Sequence, residues 1–383
     1  MSATVVCNLS VRRVPADIFR DAPSPYLEPA RARQFAVNHG RAWFDSNLID
    51  ALAEIRSGRG PAALHITGAP IHPVTVPTPG TPGPSATILT RNDRYSGEAC
   101  LLGLAYHLGI PYGYSREHNG AAIQQVVAMP GQQGVQSSEG SDTPLGFHTE
   151  SSFAETRPDF LLLACRREGP VQIPTLVLDA HELLERISSL AASALTRPIF
   201  SVRSPASFGE PSFLSTDTNV IDVVADEAGL RLDLEGLLES KDEAGKAALA
   251  ELFAAIASAG TPVLLSEGDI LIIDNRRAAH ARPAFKAIFD GQQRWLQRCL
   301  VRAEFWTCRA AMQAEGVRIL LPRQSAALPA MWFGTTRMTT RTISGGSDRN
   351  SSPAPGPSYF SARRTASARP MSSVTVASPR ISA

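Results

Sequence analysis

The chain carries the segment Gly268-Asp-Ile-Leu-Ile-Ile-Asp274 and, after an Asp290-Gly291 dipeptide, the segment Arg294-Trp-Leu-Gln-Arg-Cys-Leu-Val-Arg302. The first segment is an apolar run of strand length, and Asp-Gly is typical of tight hairpin turns. We therefore expect an antiparallel hairpin that returns Arg294 and Arg298 alongside the strand carrying His280. Because side chains alternate along a strand, Arg294 and Arg298 should share one face.

Short apolar segments of the same kind recur along the chain. Strands are predicted at residues 62–68, 121–129, 160–165, 175–178, 199–202, 220–224, 263–265, 270–273 and 294–301. Helical spacing of apolar residues predicts helices at residues 28–57, 98–108, 180–196 and 233–258. Many short strands with few helices favour a mainly β fold, an antiparallel barrel or jelly roll with flanking helices, over a nucleotide-binding α/β sheet.

The 383 residues divide by composition into three parts. Residues 1–24 are interpreted as an extended lead-in, residues 25–322 as one large domain, and residues 323–383 as a C-terminal extension. From Thr340 to Ala383 the chain is rich in Ser, Arg, Pro and Thr, with Asp348 as the only acidic residue. Such a composition cannot bury enough apolar surface to offset its ordering entropy, so disorder is predicted from about residue 340.

Charge and cysteine content narrow the class of protein. A formal net charge of +1 gives no reason to expect nucleic acid or an anionic membrane as partner. No apolar run approaches the length of a membrane span, and the first residues lack the pattern of a signal peptide. The 5 scattered cysteines never form a Cys-x-x-Cys pair, which indicates idle thiols in a reducing cytoplasm. Oligomeric state is not predicted.

Two histidines and a glutamate are candidate metal ligands. His148 and Glu150 are two residues apart, a spacing that places both side chains on one face of a strand. Together with His280 they match the facial triad of non-haem Fe(II) sites, which leaves coordination positions open. A surface His-x-Glu is the alternative interpretation of the first pair. A structural zinc site would need a fourth protein ligand, and no suitable residue is evident.

The arginines that follow His280 suggest anionic ligands. Buried cations need paired anions, so Arg294 and Arg298 facing the interior beside a metal predict carboxylates that arrive from solution. The alternative is an edge strand with exposed arginines, which the apolar Leu296 between them argues against. Arg277 and Arg282 would repel a metal dication and are expected to point away from it.

Five sequence motifs within residues 60–310 are informative as a set. They are Gly120–Val127, Leu145–Glu150, Arg157–Arg167, Gly268–Arg282 and Asp290–Arg298. In combination they resemble the clavaminate synthase-like branch of the Fe(II)/2-oxoglutarate oxygenases, in the taurine dioxygenase superfamily. The resemblance implies a double-stranded β-helix (jelly roll) core. It also implies hydroxylation of the β- or γ-carbon of a free L-amino acid with a polar or basic side chain, such as lysine or arginine, giving succinate and CO2.

The same resemblance implies the cofactors and a role for each site residue. The cofactors are Fe(II), 2-oxoglutarate as co-substrate, and O2. The implied roles are iron ligation by His148, Glu150 and His280, 2-oxoglutarate binding by Arg294 and Thr175, substrate binding by Arg298 (α-carboxylate) and Gln124 (α-amino group), and a lid at about Ser151–Glu155. Family members acting on arginine present acids from a segment matching residues 219–227, where Asp222 and Asp226 are the candidates in a different register.

Two other functions use part of the same residues. Desaturation or cyclisation of an amino-acid-derived intermediate would need the same cofactors and differ only in the fate of the substrate. A non-catalytic small-molecule binding module would not need the complete set of His148, Glu150, His280, Arg294 and Arg298. The intact set therefore favours an enzyme.

Overall fold

Two β-sheets of unequal size face each other in the computed structural model of the chain. The structure describes residues 6–10, 19, 21–80, 95–209, 211–224, 227–234, 238–304 and 306–319. These residues lie in one compact unit, Met1–Ala327, whereas the expectation of a disordered tail falls outside the described residues. The strands are β1 (Val6–Ser10), β2 (Ala63–Thr67), β3 (Ile110–Tyr114), β4 (Ile123–Val127), β5 (Leu145–His148), β6 (Phe160–Arg167), β7 (Thr175–Asp179), β8 (Phe200–Arg203), β9 (Leu214–Thr218), β10 (Ile221–Val224), β11 (Glu227–Leu230), β12 (Leu238–Ser240), β13 (Thr261–Val263), β14 (Ile270–Asp274), β15 (Ala278–Arg282), β16 (Trp295–Arg302) and β17 (Val317–Ile319).

The larger sheet has 8 strands in the order β1-β2-β14-β6-β16-β3-β17, with β4 also paired to β16. The smaller sheet has the order β13-β7-β15-β5. The strands β12-β8-β9 form a third sheet, and β10 and β11 form a hairpin. Apart from the parallel pair β1–β2, the described pairings are antiparallel, and the mainly β fold with flanking helices is confirmed.

Both faces of the larger sheet are covered, which explains why its central strands are almost continuously apolar. In β14, Leu271 and Ile273 pack into the core between the two sheets, whereas Ile270 and Ile272 pack into a second core against the helices. All four side chains are fully buried. Burial of each such side chain contributes about 1.5–3 kcal/mol relative to exposure. The position of this strand, between β2 and β6, follows from that double burial.

The described residues form seven α-helices. They are α1 (Pro29–Trp43), α2 (Ser46–Arg56), α3 (Ser96–Leu108), α4 (Ala180–Leu184), α5 (Ser189–Leu195), α6 (Glu243–Ile256) and α7 (Arg309–Ala314). The helix predicted at 28–57 is two helices, because the first ends at Trp43 and Asp45 caps the next by accepting a hydrogen bond from the Leu48 amide. The helix predicted at 233–258 begins only at Glu243, so that prediction is wrong for the described residues before it, 233, 234 and 238–242.

The hairpin predicted between the His280 strand and the Arg294–Arg302 strand is also wrong. Strand β15 belongs to the smaller sheet, between β7 and β5, whereas β16 lies in the larger sheet beside β6, β4 and β3. Gly291 does form a turn, with φ +83. The connection around that turn carries the chain from one sheet to the other, so His280 and Arg298 face each other across the interior rather than along one ladder.

Two smaller expectations can be compared with the described part of the chain. No helix there is long and apolar enough to cross a membrane. The cysteines whose side chains are described, Cys100, Cys165, Cys299 and Cys308, are buried and form no disulfide bond.

Candidate metal centre and active site

A cavity of about 650 Å³ lies between the two main sheets. Its wall includes His148 on β5, His280 on β15 and Arg298 on β16, so both sheets contribute. The volume is in the range that small-molecule sites occupy. The cavity therefore offers room for a metal, a co-substrate and a small substrate together.

His148, Glu150 and His280 form one cluster on this wall. Their potential ligand atoms all lie within 4.8 Å of one another. Pairing of β5 with β15 sets His148 directly opposite His280, and the two ring centroids are 4.3 Å apart. Glu150 follows the end of β5, at the spacing that returns its side chain to the side of His148. Two imidazoles and one carboxylate on one side of a cavity are a donor set suited to Fe(II) with open positions.

The protonation of the two histidines suits metal ligation. The Nδ1 atom of His148 lies 2.9 Å from the carbonyl oxygen of Gly146, so Nδ1–H donates there and Nε2 is left with its lone pair. Burial, with the nearby His148 and Arg298, holds the pKa of His280 well below its ordinary value. A neutral imidazole is the form that binds a metal. The buried Nδ1 of His280 has no hydrogen-bond partner among the described residues.

Asn275 holds the peptide of Glu150 in place. Its side-chain oxygen accepts a hydrogen bond from the Glu150 amide (2.7 Å), and its side-chain NH2 donates to the Glu150 carbonyl (3.2 Å). The same NH2 donates to the carbonyl of Pro158 at 2.8 Å, and the whole residue is buried. Because Asn275 lies between β14 and β15, it ties the glutamate to the turn that precedes His280.

Arg298 is bonded to three side chains of the protein itself. Its Nε donates to Gln124 (2.7 Å), Nη1 to Glu150 (2.9 Å) and Nη2 to Glu117 (3.1 Å). Against the cost of burial, Glu150 and Glu117 raise the pKa of Arg298 above its ordinary value. A guanidinium has five N–H donors, so two remain for an incoming carboxylate. Gln124 lies in this network, although it is not on the cavity wall.

Arg294 has a different environment. It lies on the cavity wall with Thr175, Leu296 and Arg298, as alternation along the strand predicts for the two arginines and Leu296. No carboxylate pairs with Arg294 among the described residues. Burial, offset by Cys165 and reinforced by the like charge of Arg282, lowers the pKa of Arg294 to about 10. A partly buried cation without an anion, facing a cavity, is a site for an anionic ligand.

Arg277 and Arg282 are both hydrogen-bonded to groups outside the cluster. Arg277 donates to Asp179 at 2.9 Å. Arg282 contributes to the cavity wall, but its guanidinium donates to the carbonyls of Gly140 and Thr143. The second of these arginines therefore holds the loop at residues 130–144, which forms one side of the cavity.

Three acidic residues on the cavity wall were missed by reasoning from sequence. Glu117 and Glu139 come from loops, and Asp233 forms a bridge partner to His148. Burial, followed by the charge of Glu117, raises the pKa of Glu139. Asp233 was hidden by the helix predicted over residues 233–258, and Glu117 lies in a turn without periodicity. Together the three acids favour a ligand that carries N–H donors.

The structure does not bring Asp222, one of the two acids predicted from residues 219–227, to the cavity. Asp222 is exposed on the β10–β11 hairpin, beside Asn219, and is not on the cavity wall. Asp226 lies outside the described residues. In the segment expected to be a lid, Ser151, Ser152 and Phe153 are buried and lie on the cavity wall.

Comparison with known proteins identifies several relatives. The profile of the taurine catabolism dioxygenase TauD, TfdA family matches residues 99–300. The chain is 33% identical over 283 residues to L-asparagine oxygenase of Streptomyces coelicolor, a match that covers 73% of this chain and 83% of that protein. It is 32% identical over 245 residues to clavaminate synthase 2 of Streptomyces clavuligerus, covering 63% of this chain and 74% of the relative. L-lysine 3-hydroxylase of Catenulispora acidiphila is 28% identical, with 77% of each chain covered.

Solved structures with a similar fold include proteins of the same kind as these relatives. An asparagine oxygenase in complex with Fe(II), 2S,3S-3-hydroxyasparagine and succinate superposes with a TM-score of 0.69 at 30% identity, covering 81% of this chain and 98% of that one. The non-heme iron oxygenase OrfP has a TM-score of 0.67 at 22% identity, covering 80% and 96%, and shares the fold. The jelly-roll core expected from the sequence is thereby confirmed.

Proposed function

This chain belongs to the TauD/TfdA family of dioxygenases, and we propose that it hydroxylates the β- or γ-carbon of a free L-amino acid with Fe(II), 2-oxoglutarate and O2. The observation that carries the proposal is the cluster of His148, Glu150 and His280 beside the unpaired cation of Arg294 in one cavity. The relatives named above include oxygenases of asparagine and lysine, and one solved relative holds Fe(II) and succinate.

Each residue of the site has a proposed task. His148, Glu150 and His280 hold iron on one side, and the iron with 2-oxoglutarate and O2 supplies the oxidising chemistry when bound. Arg294 pairs with the distal carboxylate of 2-oxoglutarate, supported by the hydroxyl of Thr175. The planar guanidinium of Arg298 can hold the substrate α-carboxylate at two points, a fixed geometry that a lysine would not supply.

The remaining polar groups of the cavity support an amino-acid substrate. Gln124 and Glu117 both contact Arg298, so they stand next to the place proposed for the α-carboxylate, where an α-ammonium group would also lie. Asp233, beside His148, can accept N–H groups from the substrate side chain. We therefore propose a side chain with N–H donors, with lysine or arginine as first candidates. Fixing both ends of the substrate determines which carbon faces the metal.

The test is a screen of the twenty amino acids with Fe(II) and 2-oxoglutarate. Succinate is measured together with the mass of the amino acid. Hydroxylation adds one oxygen atom, whereas desaturation or cyclisation removes two hydrogen atoms. We expect one polar or basic amino acid to gain oxygen and to raise succinate production. A conversion of the amino acid that requires neither Fe(II) nor 2-oxoglutarate would contradict the proposal.

The ligand assignment has its own test. His148→Ala and His280→Ala should abolish succinate production while the far-ultraviolet circular dichroism stays that of the parent protein, because each removes one of three iron ligands. Normal succinate production by either variant would show that the metal is bound elsewhere.

A further inference from the structure

The C-terminal end of the described chain reaches back to the segment that follows Glu150. Helix α7 leads into Glu315, which lies beyond the residues 99–300 matched by the family profile. We propose that Glu315 is a positioning residue for Glu150: its carboxylate fixes the turn after Glu150 and so orients the iron-binding carboxylate. This inference rests on the ligand set given under the proposed function.

The contact is made by both oxygens of the Glu315 carboxylate. Oε1 accepts a hydrogen bond from the Glu155 amide at 2.8 Å, and Oε2 accepts one from the Thr156 amide at 3.2 Å. The hydroxyl of Thr156 also donates to Oε2. Three donors that converge on one carboxylate form charge-assisted hydrogen bonds, which are stronger than neutral ones. Glu315 therefore fixes two consecutive peptides.

The next peptide, which joins Thr156 to Arg157, is held by strand β3. The carbonyl oxygen of Thr156 accepts hydrogen bonds from Tyr112 (2.5 Å) and Tyr114 (3.1 Å), and all three residues are fully buried. The Gly316 carbonyl accepts a hydrogen bond from the Ser115 amide at 2.8 Å. Strand β17 then pairs with β3. Glu315 is thus attached to the strand whose tyrosines it faces across Thr156.

The turn between Glu150 and Thr156 needs such support. Ser151 has φ +51, in the left-handed region that non-glycine residues adopt only at a cost. The Ala154 amide donates to the Ser151 carbonyl at 2.9 Å and closes the turn. Asn275 holds the Glu150 end, as described above, and Glu315 holds the other end. Release of the Glu315 end lets Ser151 relax to an ordinary φ, which turns the Glu150 carboxylate away from the histidines.

The experiment compares Glu315→Ala and Glu315→Gln with the parent protein. The Fe(II) dissociation constant is measured without oxygen, with saturating 2-oxoglutarate, from the visible charge-transfer absorption. Residues that orient metal ligands typically change metal affinity by about 10- to 100-fold, so we expect a loss in that range for Glu315→Ala. Glu315→Gln keeps one acceptor oxygen and should lose less. Hydrogen exchange at the Glu155 and Thr156 amides should accelerate in the same order.

Two controls keep the outcome decisive. Glu304→Ala removes an exposed carboxylate of the same C-terminal segment, which accepts a hydrogen bond from the Trp306 amide, and should leave Fe(II) affinity unchanged. If Glu315→Ala does not fold, Thr156→Val is used instead, because it removes only the hydroxyl partner of Glu315. This variant should also lower the affinity for Fe(II). A folded Glu315→Ala that binds Fe(II) within about twofold of the parent overturns the inference. Failure of the parent protein itself to bind Fe(II) overturns the proposed ligand set, and the inference with it.

Discussion

Two arginines on one wall of the cavity have opposite surroundings. Arg294 faces the cavity without a carboxylate partner among the described residues, whereas Arg298 is bonded to Gln124, Glu150 and Glu117. A partly buried cation without a partner, such as Arg294, favours the binding of an anion from solution. A cation that already has partners, such as Arg298, binds an additional carboxylate only through its remaining N–H groups. The difference predicts that the two arginines serve different ligands.

We expect Arg294→Ala to raise the KM for 2-oxoglutarate and to leave the KM for the amino acid nearly unchanged. Arg298→Lys should do the reverse, because a lysine keeps the charge but lacks the planar fork. Loss of one partner of a buried charge pair costs about 2–5 kcal/mol, so the Arg294→Ala effect should be tens-fold or more. Each ligand is titrated with the other saturating. If both variants weaken the binding of the same ligand, the proposed division of roles between the two arginines is wrong.

Sequence reasoning identified residues whose spacing along a strand determines their direction. His148, Glu150, Arg294 and Arg298 belong to that class, and the structure gathers them around one cavity. Asp233 and Glu117 do not, because an acid in a loop carries no periodic signal. Asp222 was a wrong choice for the related reason that the direction of a hairpin depends on contacts distant in sequence.

The loop at residues 130–144 is the element that Arg282 controls. Its guanidinium donates to the carbonyls of Gly140 (2.5 Å) and Thr143 (2.9 Å) and lies 5.0 Å from the Phe285 ring centroid. The Phe285 amide donates to the Ser141 carbonyl at 2.8 Å. Since Arg282 is two residues from His280 on β15, the strand that carries a proposed iron ligand also fixes a wall of the substrate cavity.

We expect Arg282→Ala to raise the KM for the amino acid by roughly tenfold, since hydrogen bonds to a charged group contribute about 1.5–3 kcal/mol. Hydrogen exchange at residues 130–144 should accelerate. Arg282→Lys keeps the positive charge near Arg294 but alters the hydrogen bonds to the loop. Comparison of the two variants therefore separates the effect of the loop contacts from the electrostatic effect at the co-substrate site. An unchanged KM and unchanged exchange in both variants would show that the loop is held by other contacts.

Elements were predictable where local pattern and burial agree. Strands β6, β7, β14 and β16 were expected near their actual bounds, because each is an apolar or alternating run. Strand β15 was expected only as the strand carrying His280, without bounds, because the segment Ala-Ala-His-Ala-Arg has no apolar or alternating pattern, although the structure buries all of Ala278–Arg282. The crossing from β15 to β16 could not be distinguished from a hairpin, because an Asp-Gly turn has the same local chemistry in both.

For the whole molecule, the sequence predicted the fold class but not the closure of the chain around the site. Closure depends on strand β17 pairing with β3 and on Glu315 contacting the turn after Glu150. Both contacts join residues more than a hundred positions apart, and three-residue strands such as Val317–Ile319 have too little pattern to detect. The domain boundary proposed at residue 322 falls just after this strand.

Two truncations should separate the closing segment from the tail that follows it. Removal of all residues after 330 should leave turnover unchanged and the melting midpoint within about 2 °C, a shift of less than about 1 kcal/mol for a chain of this size. The reason is that the described cavity wall and the segment carrying Glu315 precede residue 320, and the composition from Thr340 onward cannot support a packed core.

Removal of all residues after Cys308 also deletes Glu315 and β17, so it should lower both Fe(II) affinity and the melting midpoint. Equal behaviour of the two truncated proteins would contradict the role given to the closing segment, and a large loss after the first truncation would show that the tail contributes to the folded domain.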